Sequence, residues 1–214
     1  MAQPADDRFL AIGGVVLTAM VVISAIGCHY PSDWLLENAL VVVAVAYLVA
    51  TRRVLPLSRT SYVLILVFFG LHEVGAHWTF AEVPYNDWWR ALFGTTLNEQ
   101  MGWQRNHYDR LVHFCFGFLL GRPWRATLAH GFHRSGFWHY ALPCVFVLAL
   151  SGAYELIEWA AAIVFGGDLG QAYLGTQGDV WDSHRDSALA TAGAILVMSG
   201  SAAWHRWRSS AVPA

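Results

Sequence analysis

Apolar residues dominate five long stretches of the chain, and most polar residues fall between those stretches. Each stretch comes close to the roughly 20 residues that a helix needs to cross a bilayer. The five stretches are residues 9–27, 34–50, 60–80, 137–165 and 187–204. The pattern therefore predicts membrane-spanning helices rather than the core of a soluble domain.

A sixth stretch, residues 108–121, is shorter and contains ionisable residues. The arginines decide whether it crosses the membrane. If all six stretches cross, nine arginines lie on the side of the two termini and four on the other side. This excess marks the cytoplasmic side, and it shrinks if residues 108–121 do not cross. We therefore predict six spans with both termini in the cytoplasm.

The connections 81–107 and 166–186 are the long ones, and this topology places both outside. Within the first, the pattern predicts a short helix from Trp88 to Phe93 that ends at Gly94. Glycine is the usual residue after a helix C-terminus, and paired tryptophans favour the membrane interface. We therefore expect this helix to lie in the outer interface.

Composition agrees with a membrane protein. Hydrophobic residues make up 56% of the chain and charged residues 13%, whereas soluble domains carry about 25% charged residues. The net charge of −2 shows no basic excess, so a nucleic-acid partner is not expected. We predict a single all-α integral membrane domain over residues 1–214 with membrane lipids as partners; nothing indicates the oligomeric state.

Ionisable residues recur at helical spacing in the predicted outer halves of the spans. Glu73 and His77 are four residues apart, and so are Asp109 and His113, so each pair shares a helix face. The same region contains five further acids: Glu155, Glu158, Asp179, Asp182 and Asp186. We predict that these seven acids converge. Other acids are interpreted as solvated loop residues (Asp33, Glu82, Asp87, Glu99 and Asp168), and Glu37 is left outside the cluster.

A carboxylate inside a bilayer must be paired, protonated or bound to a cation, since it costs about 2.5–3.5 kcal/mol at the membrane centre. Arg110 and Arg185 are too few to balance seven acids. A divalent metal ion is the suspected cofactor, and mixed histidine and carboxylate ligands suit Zn, Mn, Fe or Mg. The candidate ligands are Glu73, His77, Asp109, His113, Asp179, Asp182 and Asp186, and His72, His107, Arg110 and His184 are further site candidates. The alternative is that these polar residues only hold neighbouring helices together.

Four sequence motifs resemble the YjdF-like bacterial inner-membrane proteins, a family of undetermined function. The motifs are GLHEVGAHWTFAEVP, NHYDRLVHFCFGFLLG, YELIEW and GTQGDVWDSHRDS. The last three also resemble, more remotely, the VanZ-like membrane proteins, with Arg110 where their pattern usually has Lys. The resemblance implies a polytopic protein of the bacterial cytoplasmic membrane, and it does not supply a reaction.

Three hypotheses for the function follow from the polar cluster. The first is a metal-dependent membrane hydrolase or transferase acting on a lipid or cell-envelope substrate. In it, Glu155 or Glu158 moves a proton, and Tyr154 and Arg185 stabilise negative charge. The second is a proton or cation transporter, which ionisable residues confined to the outer halves disfavour. The third is a non-catalytic protein that binds an envelope lipid or partner.

Overall fold

The computed structural model describes residues 5–132, 136–167, 170 and 174–211. All regular structure within these residues is helical. The helices are α1 (Asp7–Ala25), α2 (Pro31–Thr51), α3 (Arg59–His77), α4 (Tyr85–Phe93), α5 (Leu97–Met101), α6 (Tyr108–Gly131), α7 (Trp138–Phe165) and α8 (Asp182–Ala211).

The helices of the bundle have the length and the apolar surface of a membrane protein. Five of its helices, α1, α2, α3, α7 and α8, are long and apolar enough to span a membrane. Their outward faces expose large apolar side chains such as Val15, Val42 and Ile163, and a soluble protein does not expose so much apolar surface. The structure thus confirms the predicted all-α membrane bundle of about six spans.

Helix α6, the predicted sixth span, is longer than expected. It extends to Gly131 rather than Gly121, through the internal Pro123. Its 24 residues correspond to about 36 Å at 1.5 Å per residue. The prediction stopped early because hydropathy detects only the apolar part of a helix, whereas the last turns of α6 carry arginines. Helix α6 packs against α3, α7 and α8 and is the centre of the bundle.

Helix α3 ends earlier than predicted, at His77 instead of residue 80. Thr79 and Phe80 adopt positive φ angles, and the Phe80 amide donates a hydrogen bond of 2.8 Å to the carbonyl of Gly75. The Phe80 ring thereby folds back onto the helix. A Cβ atom at position 75 would lie 2.3 Å from that ring, so the reversal depends on glycine there.

The connection 81–107 contains two short helices instead of one. The predicted interfacial helix is α4, which begins at Tyr85, earlier than expected, and ends at Gly94 in the left-handed conformation. Trp88, Leu92 and Phe93 are exposed on it, as suits a helix in the membrane interface. Helix α5 was not predicted; the side chains of Thr96 and Glu99 form a capping box at its start.

The six long helices alternate in direction. We call one end of the bundle the site end: there α2, α6 and α8 begin, and α1, α3 and α7 end. The two described termini lie at the opposite end, where Ala5 donates a backbone hydrogen bond to Leu57 and Tyr140 contacts His205. Which membrane face the site end occupies remains the prediction from the arginines.

Helices α6 and α8 approach unusually closely. A Cβ atom at Gly117 would lie 1.7 Å from the carbonyl oxygen of Ala190, and one at Gly193 would lie 2.3 Å from that of Phe114. Small residues permit such contact between membrane helices. This contact sets the spacing between the two helices that carry most of the candidate site.

Candidate functional site

Asp109, His113 and Asp186 form the centre of the site. One possible ligand atom from each lies within 4.8 Å of the others. Asp109 and His113 are four residues apart at the start of α6, so they share one face, and Asp186 projects from the first turns of α8. His113 Nε2 lies 3.6 Å from Asp109 Oδ1. We call these three residues the triad.

Two glutamates of α7 add further carboxyl groups near the triad. Glu155 Oε1 lies 3.5 Å from His113 Nε2. Glu158 follows three residues later on the same helix, so it shares a face with Glu155. None of these carboxylates makes a salt bridge with an arginine among the described residues. These carboxyl groups must therefore be protonated or bind a cation.

Asp186 is the member of the triad whose carboxylate lacks, within the described part of the chain, a hydrogen-bond partner on one oxygen. Its side chain is buried, with the residue 2% exposed, and Oδ1 has no hydrogen-bond partner among the described residues. A buried carboxylate oxygen without a partner is costly unless it is protonated or binds a cation. Carboxylate and imidazole groups are the ligand types preferred by divalent metals such as Mn, Fe and Zn.

Ser151 of α7 contacts the other nitrogen of the His113 ring. The distance from Ser151 Oγ to His113 Nδ1 is 3.4 Å, and both residues are buried. If Nδ1 carries the proton, it donates to this hydroxyl, and Nε2 is left free to bind a metal ion. Metal-binding histidines commonly have such a partner on the second nitrogen.

Asp179 and Asp182, two predicted ligands, belong to an ion-pair network at the site end. Arg105 binds Asp182 through both of its terminal nitrogens, at 2.5 and 3.1 Å. Arg110 donates to Asp179 at 2.5 Å, and Arg185, whose side chain is 54% exposed, pairs with the same carboxylate. These two acids are thus paired with arginines rather than with the residues of the triad.

The electrostatics of this network follow from its hydrogen bonds. The backbone amide of Trp181, together with Arg185 and Arg110, holds the pKa of Asp179 below its ordinary value. Partial burial, reinforced by Arg110 and Arg105, lowers the pKa of His107. Asp179 is therefore ionised and His107 neutral at pH 7.

Two of the histidine candidates lie outside the triad. His107 stacks on the Trp103 ring at 4.3 Å between centroids. His184 is exposed and contacts the ring of Trp181. Neither His107 nor His184 is therefore part of the candidate metal site formed by the triad.

Glu73 and His77, also predicted ligands, contact the end of α1 instead of the triad. The Ser24 hydroxyl donates a short hydrogen bond to Glu73 Oε2, and His77 Nδ1 lies 2.8 Å from the Ser24 carbonyl oxygen. Four-residue spacing correctly placed the two on one face of α3. It could not show which neighbouring helix that face meets.

Two acids of α2 are buried, contrary to the expectation from the sequence. The interpretation of Asp33 as a solvated loop residue is wrong, since it lies within α2 and is 1% exposed. Glu37 is 2% exposed; it accepts a hydrogen bond from Tyr154 at 3.1 Å and lies 3.9 Å from His72 Nε2. Two features of the sequence indicate this helix. Pro31 is typical of the first helical position, and Asp33, Glu37 and Val41 recur every fourth residue, which places them on one face.

The remaining loop acids agree with their interpretation where the structure describes them. Glu82, Asp87 and Glu99 are exposed, and Asp168 lies outside the described residues. Arg105 was not among the candidates, because no local pattern shows that the two long connections meet. It joins them by donating to the carbonyl oxygen of Thr176 at 3.0 Å and to Asp182.

A cavity of about 310 Å³ lies next to the triad, between α2, α3, α6 and α7. We call it the chamber. Its polar wall comprises Asp109, His113, His72, Ser151 and Tyr154, and the rest of its lining is apolar. One wall of the chamber thus carries polar groups that can bind ligands or transfer protons, whereas the rest of its lining is apolar and unreactive.

Comparison with known proteins gives the family. The model of a family described as "Predicted membrane protein (DUF2238)" matches residues 9–207. The chain is also similar to "Inner membrane protein YjdF" of Escherichia coli, at 35% identity over 206 residues, which covers 96% of this chain and 94% of that protein. The chain belongs to this family.

Membership in the DUF2238 family establishes an integral, multi-pass inner-membrane protein, as predicted. No solved structure matches the chain. The more remote resemblance to VanZ-like proteins stays a prediction. The same holds for the roles of the site residues, because neither the family description nor the name of the relative states a reaction.

Proposed function

We propose that this DUF2238 protein is a membrane-embedded, metal-dependent hydrolase or transferase that acts on a lipid or cell-envelope substrate. The main support for the proposal is the buried triad. In it, Asp186 Oδ1 has no hydrogen-bond partner among the described residues, and the nearby carboxylates lack arginine partners. Intramembrane ionisable residues are expensive, and such residues usually serve a function.

The proposed ligands are Asp109, His113 and Asp186. A divalent cation held by them would supply Lewis acidity and would make water more acidic. Ser151 would fix the His113 ring so that Nε2 faces this cation. The predicted ligands Asp179, Asp182, Glu73 and His77 are left out of the set, because arginines or the end of α1 already occupy their side chains.

Glu155 and Glu158 are the proposed proton-transfer groups. Glu155 lies beside His113 without a hydrogen bond on Oε1, so it can accept a proton from an attacking water and pass it to the leaving group. Tyr154 lines the chamber, and its hydroxyl would have to exchange its present acceptor, Glu37, to donate to an oxygen that gains negative charge. Arg185 is proposed as a surface partner of Asp179 rather than a catalytic group, since it is half exposed.

The apolar packing below the site disfavours the transport alternative. Val41 and Phe69 of the chamber lining continue into a buried apolar cluster with Leu57, Ile65 and Leu120. A proton or cation path needs polar groups or water on both sides of its site. An enzyme that takes its substrate from one leaflet has no such need.

The test is turnover of native lipids. Purified protein is placed in nanodiscs of bacterial total lipid extract, and products are followed by mass spectrometry with and without chelator. We expect a new lipid product that disappears with chelator and returns with added divalent metal. Glu155→Gln should slow its formation by about 10²- to 10⁴-fold, the usual contribution of proton transfer.

Glu82→Gln is the matched control, because Glu82 is an exposed loop glutamate. It should retain full turnover. Product formation that is insensitive to chelator would contradict the metal, and no product with any divalent metal would contradict catalysis.

A further inference from the structure

The chamber is open to the side of the bundle. Helix α2 packs on α1 and α3, and α7 packs on α6 and α8, so within the described residues neither packs along the other. The hydrogen bond from Tyr154 to Glu37 bridges them near the site end. Ile157 of α7 lines the chamber and is also 46% exposed on the outside of the bundle. The surrounding medium at this depth is the hydrocarbon of the bilayer.

The chamber also has a direction. Its polar wall is near the site end, where Asp109 is the second residue of α6. Its apolar part reaches Ala44, which lies about 20 Å along α2 from Pro31 at 1.5 Å per residue. A lipid in the adjacent leaflet has the same arrangement, with its polar part at the surface and its chains toward the midplane.

The apolar interior selects for hydrocarbon. Phe68, Phe69 and Phe116 line it together with aliphatic side chains. An apolar cavity does not hold water well, whereas each methylene group that moves into one gains about 0.8 kcal/mol relative to water. A fully polar sugar or peptide would find too few hydrogen-bond partners there.

We infer that the chamber binds one hydrocarbon chain of an amphiphilic lipid, which enters sideways between α2 and α7 and places its polar linkage beside Asp109, His113 and Tyr154. Chain binding itself needs no metal ion. The assignment of that linkage as the reacting group rests on the proposed function. The substrate class is then a lipid with an acyl or similar chain, rather than a soluble cell-envelope precursor.

The test measures how binding depends on chain length. The probes are lysophosphatidylglycerols of increasing acyl length, titrated onto the delipidated full-length protein and followed by native mass spectrometry. We expect one site whose affinity rises with chain length until the chamber is full. Ala44→Phe should shorten the chamber and weaken binding of the longest chain about tenfold, which corresponds to about two methylene groups left unburied.

Ala46→Phe is the matched control, because Ala46 lies on the same helix but faces outward. It should bind every chain length as the unchanged protein does. A second pair of variants tests the inference even if Ala44→Phe fails to fold. Leu40→Trp narrows the opening and should also weaken binding of long chains, whereas Leu35→Trp, at an exposed position outside the chamber, should not.

Binding that does not depend on chain length overturns the inference, and so does an equal effect of Ala44→Phe and Ala46→Phe. Metal content separates this result from the proposed function. If the protein shows no preference for chain length but retains stoichiometric metal, only the inference that the chamber binds a hydrocarbon chain is refuted. Normal chain preference in a protein that binds no metal refutes only the metal site.

Discussion

At the scale of single residues, Ser151 is placed to orient the His113 ring through its Nδ1. Its hydroxyl is the one hydrogen-bond partner of Nδ1 among the described residues, at 3.4 Å, and Asp109 and Glu155 face Nε2. A histidine without such a partner can rotate or change tautomer, and its affinity for metal falls. Ser151 is therefore a positioning residue in this account.

We predict that Ser151→Ala weakens divalent metal binding about 10- to 100-fold, the usual cost of losing such a partner. Calorimetric titration of metal-stripped protein in detergent measures it, and Ser151→Thr, which keeps the hydroxyl, should recover most of the affinity. The control is Ser201→Ala, since the Ser201 hydroxyl bonds only to its own helix, at Val197. If Ser151→Ala binds the metal with unchanged affinity, Ser151 does not orient His113 for metal binding.

At the scale of helices, the contact between α6 and α8 holds the triad together. Asp109 and His113 lie on α6 and Asp186 on α8, so any increase in the distance between these helices separates the ligands. Gly117 and Gly193 permit the close approach, because a Cβ atom at either position would overlap the backbone of the other helix.

Gly193→Ala should therefore destabilise the protein by about 1–3 kcal/mol, the usual cost of overpacking, and weaken metal binding as well. Gly200→Ala on the same helix has no atom within 4 Å of the new Cβ, so it should be neutral or slightly stabilising. Thermal unfolding in detergent compares the two variants. Equal melting temperatures would show that the helices are not in contact at Gly193.

At the scale of the whole molecule, the even number of spans puts both termini on one side. The arginine distribution predicts that this side is the cytoplasm and that the site end faces outward. We expect a fluorescent protein fused after Ala214 to be fluorescent, and alkaline phosphatase inserted after Thr95 to be active. Phosphatase activity at the C-terminus, with none at Thr95, would place the site on the cytoplasmic face.

The sequence was sufficient for the architecture because apolar stretches and arginines carry that information directly. Helix boundaries were less predictable, since the polar ends of α6 and α8 continue beyond the apolar region. The partners of the acids were least predictable. Four-residue spacing places Asp109 with His113 on one helix face, and equally Glu73 with His77, but only the packing shows that the first pair meets Asp186 and the second meets Ser24.

Elemental analysis of the purified protein shows whether the triad binds a divalent metal ion. We expect stoichiometric divalent metal in protein prepared without chelator. Asp186→Asn should lose that metal yet remain folded, while Glu82→Gln should keep it. A well-folded protein that is metal-free as purified and binds none of Zn, Mn, Fe or Mg on addition would contradict the account.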